Sequence, residues 1–399
     1  MTDVTETDDA GTSLQGVTAA AGFRAAGVTA GLKESGKPDV ALVVNDGPDA
    51  AVAAVFTTNR AQAHPVIWSR QVVGDGTARA VVLNSGGANC FTGPFGFQTT
   101  HLTAEAVGDA LGVGAGDVVV CSTGLIGRGD QTFRDGVLRG VDLAAAALSA
   151  EGGPDAAAAI MTTDTRAKQS VVTEDGWTVG GMAKGAGMLA PGLATMLVVI
   201  TTDAVQTPAQ LDDALRAATR VTFDRVDSDG CMSTNDTVVL LSSGASGVTP
   251  EVGDFQEALT AVCADLARQL QQDAEGASHD ITIAVTGAVS EDDAVEVGRS
   301  VARNNLFKAA VFGNDPNWGR VLAAIGTTEA EFDPYAVDVS MNGVRVCHAG
   351  APDRPVDEVD LSPRETHVLI ELGVGPHAAT ILTNDLTHDY VHENSAYSS

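Results

Sequence analysis

Aromatic side chains are scarce in this 399-residue chain, at 4%, with 3 Trp, 3 Tyr and 11 Phe. That scarcity argues against an aromatic-lined binding platform and leaves packing to small and aliphatic side chains brought close together. Positive charge is also in short supply: 23 Lys and Arg face 52 Asp and Glu, for a formal net charge of -29. Such a chain repels phosphate backbones and anionic bilayers, so no nucleic acid and no membrane is expected as a partner. The acids are scattered, as in Asp212-Asp213 and Glu291-Asp292-Asp293, in the manner of a solvated surface. Cysteine is sparse and odd in number: Cys90, Cys121, Cys231, Cys263 and Cys347 include no Cys-x-x-Cys pair. This excludes a disulfide framework or a zinc ribbon and reads as free thiols in a reducing cytoplasm. No apolar run approaches membrane-spanning length, and the acidic first residues lack the basic and apolar regions of a signal peptide.

Several catalytic signatures are missing too. The chain has neither a Walker-type phosphate loop nor a His-Glu-x-x-His helix. His388 and His392 stand four apart, but two histidines in a polar stretch do not make a metal site, and no metal is expected. Gly185, Gly187 and Ala190 fit the spacing of a dinucleotide loop; that loop needs a helix after it, and Pro191-Gly192 and an apolar run follow instead.

What the chain does contain is 44% hydrophobic residues and 44 glycines, ample for a large core of the layered α/β class. Apolar runs at 40–44, 80–83, 118–121, 196–202, 238–241, 281–285 and 368–372 read as strands. Residues 254–273 read as a helix with Phe255, Leu259, Val262, Leu266 and Leu270 on one face and Asp254 as its cap. Two more helices span 207–218 and 290–304, the second opened by Ser290 with Asp293 three residues on. Gly152-Gly153-Pro154 splits an alanine-rich stretch into two helices, and 352–359 reads as a charged loop. Elements beyond about residue 280 are expected to form a smaller lobe.

Two places carry chemistry. The stretch from Trp177 to Ala194 reads as a flexible glycine-rich approach that ends at Thr195, which opens the β-branched run 196–202. A threonine at a strand start ordinarily satisfies only local hydrogen bonds. Here the permissive backbone before it, and Lys184 eleven positions upstream, suit a self-cleaving nucleophile. In Cys121-Ser-Thr-Gly124, Cys121 reads as a buried strand thiol. The turn beyond it offers the Thr123 hydroxyl and the open backbone N–H of Gly124, two donors able to converge on an oxyanion.

Six ordered blocks then carry a resemblance: Asn84-Ser-Gly-Gly-Ala-Asn89, Cys121-Ser-Thr-Gly-Leu-Ile-Gly127, Lys184 to Thr195, Ser233-Thr-Asn-Asp-Thr237, Asp315-Pro-Asn-Trp-Gly-Arg320 and Glu393-Asn-Ser-Ala-Tyr-Ser-Ser399. Together they resemble the ornithine acetyltransferase family of arginine biosynthesis, over nearly the whole chain. The resemblance implies a layered α/β sandwich like that of the N-terminal-nucleophile-like aminopeptidases. It also implies a precursor that cuts itself between Ala194 and Thr195 into chains 1–194 and 195–399, assembled as an α2β2 heterotetramer. Thr195 would be the nucleophile of a ping-pong transfer of acetyl from N-acetylornithine to glutamate, with Thr123 and Gly124 as oxyanion donors and no cofactor. Thr162, Lys184, Thr195, Glu275, Asn394 and Ser399 would contact the small-molecule substrates, and acetyl-CoA stays open as a further donor. The same residues also leave room for a hydrolase on this scaffold, or for an acidic binding protein in which Thr195 is an ordinary strand residue.

Overall fold

The computed structural model describes residues 15–190 and 196–396. Among these, the strands in chain order are β1 (Phe23–Val28), β2 (Val40–Asn45), β3 (Ala51–Phe56), β4 (Ala80–Ser85), β5 (Val118–Thr123), β6 (Lys168–Glu174), β7 (Trp177–Lys184) and β8 (Leu197–Thr202). They continue with β9 (Thr237–Ser242), β10 (Asp280–Ala288), β11 (Asp338–Met341), β12 (Val344–His348), β13 (Ala351–Pro352), β14 (Glu365–Glu371) and β15 (His377–Asn384). The helices are α1 (His64–Val72), α2 (Gly93–Leu111), α3 (Gln131–Ala147), α4 (Gly153–Ala159) and α5 (Pro208–Val221), followed by α6 (Val252–Gln272), α7 (Glu291–Ala302), α8 (Asn305–Phe312), α9 (Trp318–Ile325) and α10 (His388–Ala396).

Three sheets result. The first has the order β1-β2-β4-β5 and the second β3-β9-β8-β7-β6, and the two pack face to face. In β2, β4 and β5 the odd-numbered Ala41, Val43, Val81, Leu83, Val119 and Cys121 meet the second sheet. The even-numbered Val40, Leu42, Ala80, Val82, Val118 and Val120 lie under α2 and α3. With both faces buried the strands read as continuous apolar runs rather than alternating ones. Each such Val or Leu contributes roughly 1.5–3 kcal/mol of burial. On the far side of the second sheet, Val198, Ile200, Val238 and Leu240 pack on Leu211 and Leu215 of α5 and on Leu259, Val262 and Leu266 of α6. The result is a helix–sheet–sheet–helix sandwich, the layered α/β class expected.

The third sheet, β13-β12-β11-β14-β10-β15, uses only strands from Asp280 onward and packs one face on α7, α8 and α9. Its other face is wet: in β14, Glu365, His367 and Glu371 are exposed while Thr366, Val368 and Ile370 are buried. This sheet is tied to the sandwich through Gln271 of α6. The Gln271 side-chain amide donates to the carbonyls of Ile281 and Thr383, each at 2.9 Å, and Asn384 returns a bond to the Gln271 carbonyl at 3.0 Å.

Some local expectations are corrected. Residues 177–184 are a fully buried strand, not a flexible approach. The glycines there serve close packing: a Cβ on Gly180 would stand 2.1 Å from the carbonyl oxygen of Gly16. Glu251, not Asp254, precedes the α6 helix, and no side chain caps it. The polar stretch holding His388 and His392 is helical, and 352–359 contains a short 3-10 turn at Val356–Glu358.

Candidate active site

The end of β7 sets the site. Its register pairs Lys184 with Leu197, while β9 lies parallel on the other side of β8 with Thr237 beside Leu197. The chain that leaves at Lys184 therefore returns to the same spot at Met196, between β7 and β9. Ala194 and Thr195 lie outside the described residues, as does Ser399.

Lys184 is 2% exposed, and its ammonium lies 3.9 Å from Asp164 and 3.5 Å from the Thr123 hydroxyl. Burial lowers its pKa against the opposing pull of Asp164. Asp164 is the hub beneath it. Its carboxylate accepts from the N–H of Thr162 at 2.9 Å, the N–H of Gly185 at 2.7 Å and the ammonium of Lys168 at 2.7 Å. Burial opposes that charge, but the Lys184 and Lys168 ammonium groups outweigh it and hold the carboxyl well below the usual carboxylate range. Lys168 also binds Asp273, just past α6, at 2.5 Å, and Asp273 accepts from the N–H of Thr165 at 3.0 Å. Thr162, Lys184 and the end of α6 are thus fixed to one another by paired buried charges, the arrangement in which such charges are tolerated.

The Thr123–Gly124 turn is framed by the 84–89 loop. Gly86 and Gly87 both donate to the Thr123 carbonyl at 2.9 Å, and the Ser122 hydroxyl donates to Asn84 at 2.6 Å. Gly124 has φ 120, and a Cβ there would stand 2.6 Å from the Gly87 nitrogen, so only glycine fits. Cys121 is buried, and desolvation pushes its thiol up to about 12, which leaves it no nucleophile.

Glu275 enters from past α6, its N–H donating to the Ala186 carbonyl at 3.0 Å. A Cβ on Gly187 would stand 2.7 Å from the Glu275 carboxylate, so that carboxylate lies directly over Gly187. Asn394 of α10 donates to Glu275 at 3.0 Å, and α10 is pinned by the Thr387 hydroxyl donating to the Gly276 carbonyl at 2.6 Å. One cavity of about 100 Å³ is lined by Thr123, Gly124, Thr162, Thr163, Lys184, Gly187, Met188, Glu275 and Asn394. It combines a cation, an anion, hydroxyl and N–H donors and an amide, which suits a small zwitterionic ligand presenting a carbonyl. Sequence reasoning missed Asp164, Lys168 and Asp273, whose links to the site are made only by folding.

Fold and pocket define a layered α/β protein with a buried, charge-paired site for a small polar molecule. The comparisons are narrower: the model of the ArgJ family matches residues 24–399, and this chain belongs to that family. It is 65% identical over 383 residues to the "Arginine biosynthesis bifunctional protein ArgJ" of Streptomyces coelicolor, covering 96% of this chain and 100% of the relative. The protein of that name from Mycobacterium tuberculosis is 56% identical over 405 residues, covering 98% and 100%. A solved structure of ornithine acetyltransferase complexed with ornithine, also from Mycobacterium tuberculosis, is 55% identical over 46% of this chain and 96% of its own, with a TM-score of 0.43.

Proposed function

We propose that this chain moves an acetyl group from N2-acetyl-L-ornithine to L-glutamate through an ester on Thr195, giving L-ornithine and N-acetyl-L-glutamate. The observation that carries the reading is the pocket: Thr123, Gly124, Thr162, Lys184, Glu275 and Asn394, far apart in the chain, line one cavity. Beforehand, Thr195 attacks the Ala194 carbonyl, and hydrolysis of the resulting ester leaves chains 1–194 and 195–399. The freed α-amine titrates near ~8, against ~10.4 for lysine, and is the better base at neutral pH.

In the transfer, the Thr195 hydroxyl adds to the acetyl carbonyl and gives its proton to that amine. Thr123 and the Gly124 N–H meet the oxyanion. The amide C–N bond breaks, the departing ornithine amine takes the proton, and glutamate's amine then attacks the ester and restores the hydroxyl. Lys184 pairs with the α-carboxylate that both amino acids carry, Thr162 donates a hydroxyl, and Glu275 meets the ornithine side-chain ammonium. Asn394 lines the pocket, and Ser399 contacts substrate by analogy with the family. The relatives' bifunctional naming leads us to include acetyl-CoA as a second donor to the same threonine. We place the enzyme in the cytoplasm as an α2β2 assembly.

Intact mass spectrometry tests the reading. Wild-type protein should appear as two chains, ending at Ala194 and beginning at Thr195, and N-acetylornithine alone should add one acetyl to the second. Thr195→Ala should stay whole and unlabelled. An uncut, unlabelled wild-type chain would overturn the reading, whereas acetyl loss at the same rate with and without glutamate would make the protein a hydrolase.

A further inference from the structure

The block Ser233-Thr-Asn-Asp-Thr237 has no part in the transfer as described, yet all five residues are buried. Its side chains reach in two directions. The Asn235 amide donates to the Ser122 carbonyl at 2.8 Å and to the Ala88 carbonyl at 2.7 Å. Ser122 directly precedes Thr123, and Ala88 belongs to the loop that frames the Thr123 carbonyl. The amide is itself held, its oxygen accepting from the Thr234 hydroxyl at 2.6 Å. The next residue turns the other way: Asp236 accepts the N–H of Met196 at 3.1 Å through Oδ1. That nitrogen is bonded to the carbonyl carbon of Thr195. Oδ2 of Asp236 is buried and has no hydrogen-bond partner among the described residues. The Asp236 carbonyl accepts from Thr57 at 2.9 Å, which fixes the residue from behind.

These contacts matter because the two ends belong to different layers. Thr123 ends β5 in the first sheet, and Met196 precedes β8 in the second. Apolar packing brings the sheets together but tolerates small shifts, whereas an amide bonded to two carbonyls does not. Resting on the function proposed above, we infer that Asn235 and Asp236 are positioning residues: Asn235 holds the Thr123–Gly124 turn, Asp236 holds the main chain that follows Thr195, and together they set the spacing between oxyanion donors and nucleophile. Asp236 is fully enclosed, and desolvation raises its carboxyl well above the usual carboxylate range against the weaker pull of Ser233, the Met196 N–H and Lys184. What the contact with Met196 requires is an acceptor oxygen, which an asparagine also supplies.

The test compares wild type with Asn235→Ser, Asp236→Ala and Asp236→Asn, each with a cooperative melt, in acetyl exchange from N-acetylornithine to glutamate. Displacement of the reacting groups should lower kcat of Asn235→Ser and Asp236→Ala by roughly 10²-fold while KM changes little. Asp236→Asn should recover about tenfold or more of the Asp236→Ala loss. Added to Thr123→Ala, Asn235→Ser should cost less than it does alone, because the Thr123 share of the oxyanion contribution is already gone and only the Gly124 N–H is left to displace. Folded single variants with wild-type kcat, fully additive losses in the double variant, or Asp236→Asn as impaired as Asp236→Ala would overturn the inference. Should Asp236→Ala not fold, Asp236→Asn decides alone, a loss beyond about 10²-fold counting against positioning. A wild-type chain that neither cuts nor exchanges removes the proposed function and this inference together; active wild type with equally active variants removes only this one.

Discussion

Asp164 shows most plainly how single residues make this site. It accepts from two backbone N–H groups and stands between two ammonium groups, all out of water. Asp164→Asn keeps the shape but leaves Lys168 and Lys184 short of one negative charge. The expected cost is about 3–5 kcal/mol, the scale for removing one partner of a buried pair, read as a lower denaturation midpoint. Because the folded-state pKa of Asp164 is depressed, its contribution is present above its unfolded value and lost as pH falls. The wild-type advantage over Asp164→Asn should therefore hold down to about pH 4 and shrink below it. At this scale the sequence was partly legible. Thr123 and Gly124 stood out as a hydroxyl and an open backbone after a strand, and Thr162, Lys184, Glu275 and Asn394 came with the family resemblance. Lys168 carried no signal: Asp164 lies four residues away, but its second partner Asp273 is 105 residues away and its burial is a property of the fold.

Elements announced themselves where their physics is local. In α5 the Thr207 hydroxyl accepts from the Gln210 N–H and the Gln210 side chain accepts from the Thr207 N–H, a reciprocal cap. Thr207→Ala should lower stability by about 1 kcal/mol, measured by chemical denaturation, and leave the acetyl-exchange rate alone because the cap is exposed and outside the pocket. Ser290 likewise opens α7 by accepting from the Asp293 N–H, as its spacing promised. Expectation failed where local preference and tertiary packing disagreed. Gly180 and Gly181 weaken a strand taken alone, yet β7 is buried along its whole length, with the Gly16 backbone close against Gly180 and the Leu266 and Val262 side chains of α6 against Gly181. The short strands β11, β12 and β13 of the third sheet were likewise not anticipated, being only two to five residues each.

At the scale of the whole molecule the second sheet has a consequence for the proposed processing. Its order β3-β9-β8-β7-β6 interleaves strands from both sides of the Ala194–Thr195 bond: β8 pairs with β7 from one piece and with β9 from its own, and β3 from the first piece edges β9. Cutting that bond leaves every ladder intact. The two chains should therefore co-elute as one species in native size exclusion and separate only in denaturant; separation under native conditions would contradict this strand order. By itself the sequence determined the class of layers, from small apolar residues in continuous runs, and the Thr123–Gly124 turn, because both are written in composition and short-range spacing; the other site residues were legible only through the ordered blocks that resemble the family. Only the tertiary structure decided the strand order, the interleaving of the two pieces and the meeting of Thr123, Thr162, Lys184, Glu275 and Asn394 in one cavity. These depend on contacts between residues well separated in the chain, 61 positions for Lys184 and Thr123 and 119 for Asn394 and Glu275, whose pairing no local periodicity encodes.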